Sequence, residues 1–382
     1  MFDVSVIKCD SYNSAEVKKA LSEALDAVGG LSWVTNGMRI AIKANLVSFM
    51  SPDKAATTHP SLICELVKML VEKGAEVVIG DSPGGIYNSA YVNKVYKATG
   101  MYEVEKAGAK LNHNYKQSEA QNPDGIVLKS FVYTSYLDEA DAIINFCKLK
   151  THGMMGMSAA AKNIFGVIPG TLKPEYHFRF PNHGDFARMI VDLDEYFKVR
   201  LCICDAIVGM EGNGPTMGTP RKIGAVIASD SPHKMDLVCA KIIGLSKSDV
   251  PTLEAAYERG LIPASAEELN ICGDVDSFVI NDYNNIPVHT SIEFKKDSTK
   301  FFGKMAGFLT GKALRSTPKL KRNECVGCGV CRDICPAKAI KIEKGKAVID
   351  RQLCIRCFCC QEFCPKGAMK VKRTFIAKIL NK

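Results

Sequence analysis

Sixteen cysteines occur in this chain of 382 residues, and nine of them fall between positions 325 and 364. Eight of the nine repeat one spacing. The first run is Cys325-x2-Cys328-x2-Cys331-x3-Cys335-Pro336, and the second is Cys354-x2-Cys357-x2-Cys360-x3-Cys364-Pro365. Three thiolates at such intervals wrap one iron–sulfur cube, while a fourth, displaced and followed by proline, turns toward a second cube. The spacing therefore assigns Cys325, Cys328, Cys331 and Cys364 to one [4Fe-4S] cluster and Cys354, Cys357, Cys360 and Cys335 to another. A lone CxxC serves zinc as well. Two full repeats with both prolines point to clusters. Cys359 is out of register with both runs and reads as a packed non-ligand. The seven scattered cysteines lie mostly in apolar runs and read as small buried hydrophobes.

The segment of roughly Arg322–Arg373 resembles the bacterial two-cluster ferredoxins, and AIKIEKGKAVID between the repeats suits the hairpin of that fold, turning at Lys344-Gly345. Such clusters carry single electrons. Residues 312–382 hold eighteen Lys and Arg against five Asp and Glu, whereas residues 1–311 hold 32 against 36. This basic surround favours an acidic redox carrier such as a flavodoxin or a ferredoxin, and nucleic acid is not the expected partner.

Outside the cysteines, the densest polar stretch runs from Lys148 to Gly170, with His177 and His183 beyond it. Lys150, His152, Lys162, Asn163 and His177 are the candidates for holding a small anionic ligand or moving protons, with His152, Lys162 and His177 as catalytic candidates. Two glycine-rich loops follow predicted strands: Gly80-Asp81-Ser82-Pro83-Gly84-Gly85, and Gly209 to Gly218. Asp81 and the amides around Gly212, Gly214 and Gly218 are expected to complete the pocket. Neither loop matches GxGxxG, and the Gly-Lys of residues 301–322 lacks the other residues of a P-loop.

The elements that position these groups alternate. Strands are predicted at Phe2–Lys8, Arg39–Val47, Glu76–Gly80, Ile126–Tyr133, Ala142–Cys147, Arg200–Cys204 and Ile223–Ala228. Helices are predicted at Ala15–Val28, from a Thr58 cap to Lys73, and over Asp185–Phe197, Lys234–Leu245 and Thr252–Arg259. This pattern implies an α/β fold with a large, mostly parallel sheet, with room for two layers or lobes, plus a small α+β ferredoxin-like domain. The expected division is 1–294, a basic linker or amphipathic helix over 295–321, the cluster domain over 322–373, and a basic tail over 374–382. The basic apolar stretches near Phe301–Leu309 and Phe375–Leu380 also suit peripheral membrane contact, though packing on the protein is the plainer reading. No run of apolar residues is long enough to span a bilayer and no signal peptide is evident, so the expectation is a cytoplasmic protein.

The pieces Ile42-Lys43-Ala44-Asn45-Leu46, Thr58-His59-Pro60, Gly80-Asp81-Ser82-Pro83-Gly84, Lys150-Thr151-His152, Ala161-Lys162-Asn163-Ile164-Phe165-Gly166 and Gly212-Asn213-Gly214-Pro215 resemble the DUF362 family, over roughly residues 2–290. That family is often joined to a ferredoxin module, and the resemblance supplies no reaction. A more distant similarity is to nickel-pincer lactate racemases, whose order of groups is followed by His152, Lys162, Pro169-Gly170 and His177. Ser158-Ala-Ala-Ala-Lys162 and Asn163 depart from the racemase pattern, which speaks against the pincer cofactor. Three functions remain open: a ferredoxin-coupled oxidoreductase, a non-catalytic electron carrier or adaptor, and a metalloprotein assembly factor.

Overall fold

The computed structural model describes residues 1–286, 288 and 317–372. The main sheet begins with β1 (Val4–Lys8), β2 (Arg39–Lys43), β3 (Glu76–Gly80) and β4 (Lys110–Leu111). A separate hairpin of β5 (Gln117–Gln121) and β6 (Ser130–Thr134) intervenes. The main sheet then resumes with β7 (Ala142–His152), β8 (Gly156–Ser158), β9 (Leu201–Glu211), β10 (Thr219–Ser229) and β11 (Ile271–Cys272). Its order is β11-β1-β10-β9-β7-β2-β3-β4, with β8 folded back on β7. The pairs β9-β7, β7-β2, β2-β3, β3-β4 and β1-β11 are parallel, while β10 runs antiparallel to both its neighbours.

The helices are α1 (Ser14–Ala27), α2 (Pro60–Glu72), α3 (Ser89–Thr99), α4 (Glu103–Lys106), α5 (Ala160–Ile164), α6 (Lys173–Arg179), α7 (His183–Phe197), α8 (Pro232–Ile242) and α9 (Pro251–Glu258). They cover both faces of the sheet. Ile40 and Ile42 of β2 and Ile203 of β9 pack with Leu21 of α1 and Leu66 of α2. Their alternates Ala41, Cys202 and Cys204 pack with Ile164 of α5, Phe186 of α7 and Val238 of α8. A period of two along each strand therefore feeds two cores. The cap of α2 is His59, whose Nδ1 accepts from the Ser61 amide at 3.2 Å. Thr58, expected to be the cap, instead accepts from the Asn45 amide and donates to the Phe146 carbonyl. It ties β2 to β7.

The winding of the sheet reverses at β2. The chain proceeds outward from β2 through β3 to β4, then returns to β7 on the other side of β2. Open α/β sheets bind ligands beyond the carboxyl ends of strands at such a reversal.

The small region contains β12 (Thr317–Leu320), α10 (Val330–Asp333), β13 (Ile340–Glu343), β14 (Lys346–Ile349), α11 (Cys359–Glu362) and β15 (Met369–Lys372). β13 and β14 form the expected hairpin, with Lys344 and Gly345 at φ of 48° and 69°. β12 pairs with β15, so Thr317–Leu320 belongs to this region and not to a linker reaching residue 321. The basic stretches at 301–309 and 375–380 lie outside the described residues. Among the described residues, no helix is long and apolar enough to cross a membrane.

Candidate functional site

The two cysteine runs fold into matching turns. Cys325, Cys328, Cys331 and Cys364 line one small cavity, and Cys335, Cys354, Cys357, Cys359 and Cys360 line another. Among the described residues no three His, Cys, Asp or Glu side chains converge on a single ion. Thiols spread around a cavity, four in the first and five in the second, fit a bulky iron–sulfur cube better than one zinc. The repeats also share a hydrogen bond four residues after each last cysteine. The Ala339 amide donates to Cys335 Sγ and the Ala368 amide to Cys364 Sγ, each at 3.2 Å. Such bonds stabilise the more negative, reduced form of a cluster.

The segment carrying the second run also docks on the large domain. Gln361 is buried and its Nε2 donates to the carbonyls of Asn213 and Gly214 at 3.1 and 3.0 Å. The Thr216 hydroxyl reaches the Glu362 carbonyl at 3.5 Å. Phe358 is buried within the large domain's core cluster, although its φ of 60° lies in the left-handed region. That conformation costs about 1–2 kcal/mol outside glycine, which burying a phenylalanine, at about 1.5–3 kcal/mol, offsets. A Cβ at Gly84 would stand 2.8 Å from the Phe363 ring, so glycine is needed there for the two regions to meet.

Between them lies a cavity of about 770 Å³. Asp81, Lys150, His152, Lys162, Asn163 and His177 all line it, so the structure brings these sequence candidates together. Gly212, Gly214 and Gly218 do not. The expectation of an amide cradle in their loop gives way: the Gly214 and Met217 amides bond within the loop, and the Gly212 amide bonds Asn284. Pro215, Thr216 and Met217 face the cavity instead. His183 begins α7, away from it. Sequence reasoning missed Lys43, Asn45, Lys173, Glu362 and Phe363 as members of the wall. A lysine inside the apolar strand Arg-Ile-Ala-Ile-Lys43 was the available signal for the first.

The floor of the cavity is an ordered polar network. Lys43 Nζ stands 2.8 Å from Asp81 Oδ1, and also donates to the Ala44 carbonyl and to Asn163 Oδ1. Asp81 Oδ2 accepts from the Leu46 amide. Asn163 also accepts from Asn45 Nδ2 and donates to Asn145 Oδ1 and the Lys43 carbonyl, so it holds β2, β7 and α5 together. Buried Asp236 accepts from the Ala160 and Ala161 amides at the start of α5, which fixes Lys162 toward the cavity. A Cβ at Gly166 would fall 2.4 Å from Asp81 Oδ1, so glycine lets the chain pass the ion pair.

Lys150 donates to Asn45 Oδ1 and the Ala56 carbonyl, and burial pulls its ammonium down to about 7 against the attraction of Asp81 and Glu362. Lys173 donates to the Ser82 carbonyl and is likewise lowered by burial to about 7. Burial also lowers Lys162, whose ammonium lies 4.5 Å above the Phe165 ring. His177 stacks on Phe186 with ring centroids 4.4 Å apart, and burial drives it to about 3. Among the described residues its Nδ1 has no hydrogen-bond partner.

His152 links the two regions. Its Nδ1 accepts from the Met154 and Met155 amides at 3.1 and 3.2 Å, so the ring proton sits on Nε2. Nε2 stands 3.1 Å from Glu362 Oε1. Burial lowers His152 in spite of Glu362. Burial alone would raise Glu362, but His152, Lys162 and His177 hold its carboxyl at about 2. The pair is a neutral imidazole against a carboxylate.

Residues 317–365 match the 4Fe-4S dicluster domain, which gives the chain iron–sulfur electron-transfer capacity. A curated relative, the Thylakoid-associated protein sll1697 of Synechocystis sp. (strain ATCC 27184 / PCC 6803 / Kazusa), is 29% identical over 279 residues, covering 69% of this chain and 81% of that protein. Among solved structures, the lactate racemase apoprotein from Thermoanaerobacterium thermosaccharolyticum is 13% identical with a TM-score of 0.38, over 64% of this chain. A protein from Thermotoga maritima is 14% identical with a TM-score of 0.35, over 56% of this chain. The chain spans only 58% and 55% of those two proteins, and likenesses at these scores carry no chemical argument. Residues 40–241, more than half of the chain, match the Domain of unknown function DUF362, and the chain belongs to that family.

Proposed function

We propose that this protein is a ferredoxin-coupled oxidoreductase that passes electrons between a redox carrier and a small anionic ligand in the interdomain cavity. One observation carries the reading: Cys364 lines both a four-cysteine cavity and the large cavity, whose other wall holds four lysines and two histidines. A ligand there would lie against a thiolate of the first cluster. Two [4Fe-4S] clusters, on the four-cysteine sets given above, would when bound supply two single electrons.

The chain's own residues divide the remaining work. Lys150, Lys162 and Lys173 attract and orient the anion, and Asn163 and Asp81 fix the floor on which it rests. His152 carries its proton on Nε2 at the domain boundary, within reach of Glu362. Cys328 is exposed on the outer side of its cluster cavity, which supplies an entry point for an acidic carrier such as a flavodoxin or ferredoxin. Ser158–Lys162 departs from the pattern that would hold a nickel-pincer group.

A second reading, an electron carrier or adaptor in peripheral contact with a membrane, is favoured by the thylakoid association in the relative's name. Anaerobic purification of the full chain, with metal analysis and mass spectrometry of released small molecules, separates the two. The oxidoreductase reading expects about eight iron atoms per chain and an organic anion that Lys162→Met fails to retain. Release of no anion by either protein favours the adaptor.

A further inference from the structure

We propose that the cavity takes an organic acid with an apolar body, its carboxylate on the lysine floor and its carbon skeleton against a hydrophobic mouth. This rests on the reading that the cavity holds the redox ligand, and it names that ligand's chemical class.

The floor calls for an anion. Lys43 is matched by Asp81 at 2.8 Å. Lys150 is buried and bonded only to neutral oxygens, and Lys173 donates to a carbonyl. Among the described residues Lys162 has no carboxylate within 4.0 Å and rests on aromatic faces. Among the described residues Glu362 is the one inner carboxylate left to face these three, since Asp333 at the rim is 64% exposed and paired with Arg332. Cations taken from water need compensation. The unpartnered Nδ1 of His177, a side chain only 2% exposed, adds a further unmet polar group in the same wall.

The floor also selects the kind of anion. Phosphate sites are usually lined by free backbone amides at a helix start or nest. Here five of the candidate amides are occupied. Asp236 takes the first two of α5, Ser82 N donates to the Gly166 carbonyl, Gly84 N to the Val47 carbonyl, and Gly170 N to Ser82 Oγ. The separate ammonium groups of Lys150, Lys162 and Lys173 beside them suit a carboxylate.

The mouth is apolar. Phe49 and Ile86 are 45% and 59% exposed, large hydrophobic side chains left open where the cavity meets solvent. Tyr91 tilts against Phe49 with ring centroids 4.6 Å apart, and Val330 faces them from the cluster domain. An exposed apolar rim over a polar floor marks a ligand groove. A cavity of about 770 Å³ is also far larger than a two-carbon acid needs.

The test titrates the anaerobically purified, cluster-loaded full chain with acetate, benzoate, 4-phenylbenzoate, the primary amide of 4-phenylbenzoate, and inorganic phosphate, by calorimetry. The expected result is at least tenfold tighter binding of 4-phenylbenzoate than of acetate, and at least tenfold weaker binding of the amide. Lys162→Met, which keeps the stem over Phe165, should weaken the acid about tenfold and leave the amide unchanged. Ile86→Ser, at an exposed position that does not threaten folding, should weaken 4-phenylbenzoate several-fold and leave acetate unchanged. Equal binding of acid and amide overturns the proposal, as does acetate or phosphate binding as tightly as 4-phenylbenzoate. If phosphate binds best, depends on Lys162 and alters the cluster's EPR signal, the acid class is wrong and the redox cavity stands. If no probe binds, both readings fall.

Discussion

Glu362 Oε1 stands 3.1 Å from His152 Nε2, joining the turn that carries Cys364 to the end of β7 across the domain boundary. A single residue separates this carboxylate from Cys364, yet its side chain faces the large domain. Glu362→Gln should therefore keep the full iron content. Removing one of the two inner carboxylates should also tighten binding of an anionic probe several-fold. Iron analysis and titration check this, and loss of iron would place Glu362 in the cluster site.

Cys359 is 1% exposed and lines the same small cavity as Cys357 and Cys360. Its spacing leaves it without a cluster position. Cys359→Ala should retain the iron and the EPR signals of the parent protein, whereas Cys360→Ala should lose about half the iron. The reverse result would exchange their roles.

Anion binding should weaken as pH rises through neutrality. Lys150 and Lys173, lowered by burial to about 7, lose their protons there and with them the charges that hold the anion. The surrounding charges are Lys43, Lys162, Asp81 and Glu362. In the empty protein the sign for stability is opposite. A lysine whose folded pKa lies below its unfolded value of about 10.4 binds fewer protons folded than unfolded between those values. Its contribution to stability accordingly rises from pH 7 upward. Probe affinity measured from pH 6 to 9 should fall, and a flat profile would remove these lysines from the site.

Gln361 spans the interface with two hydrogen bonds from one buried amide. Gln361→Ala leaves the Asn213 and Gly214 carbonyls without that donor, at a cost of about 1–3 kcal/mol. Denaturant titration of the cluster-loaded protein should show that loss with unchanged iron. No change would mean that the interface rests on Phe358, Phe363 and the contacts of Thr216 and His152 with Glu362.

Local patterns made much of this legible in the sequence. The spacing of the cysteine runs groups the cysteines as the two small cavities do, apart from Cys359, and the hairpin at Lys344-Gly345 needs only a turn with two positive φ angles. Lys150, His152, Lys162 and His177 stood out because they crowd one stretch. Glu362 and Phe363 did not, because their partners His152 and Gly84 lie more than 200 residues earlier and only docking brings them together. Thr58 looked like a helix cap because hydroxyls commonly cap, but its hydroxyl ties two strands and His59 takes the cap. The loop from Gly209 to Gly218 resembled an anion cradle from composition alone, whereas its carbonyls hold Gln361.

The central claim is that a ligand in the cavity is felt by the cluster at Cys364. EPR of the anaerobically reduced full chain, with and without saturating 4-phenylbenzoate, tests it most directly. The predicted result is a shifted or broadened cluster signal that Lys162→Met abolishes at the same probe concentration. An unchanged spectrum under conditions where calorimetry shows the probe bound would contradict it.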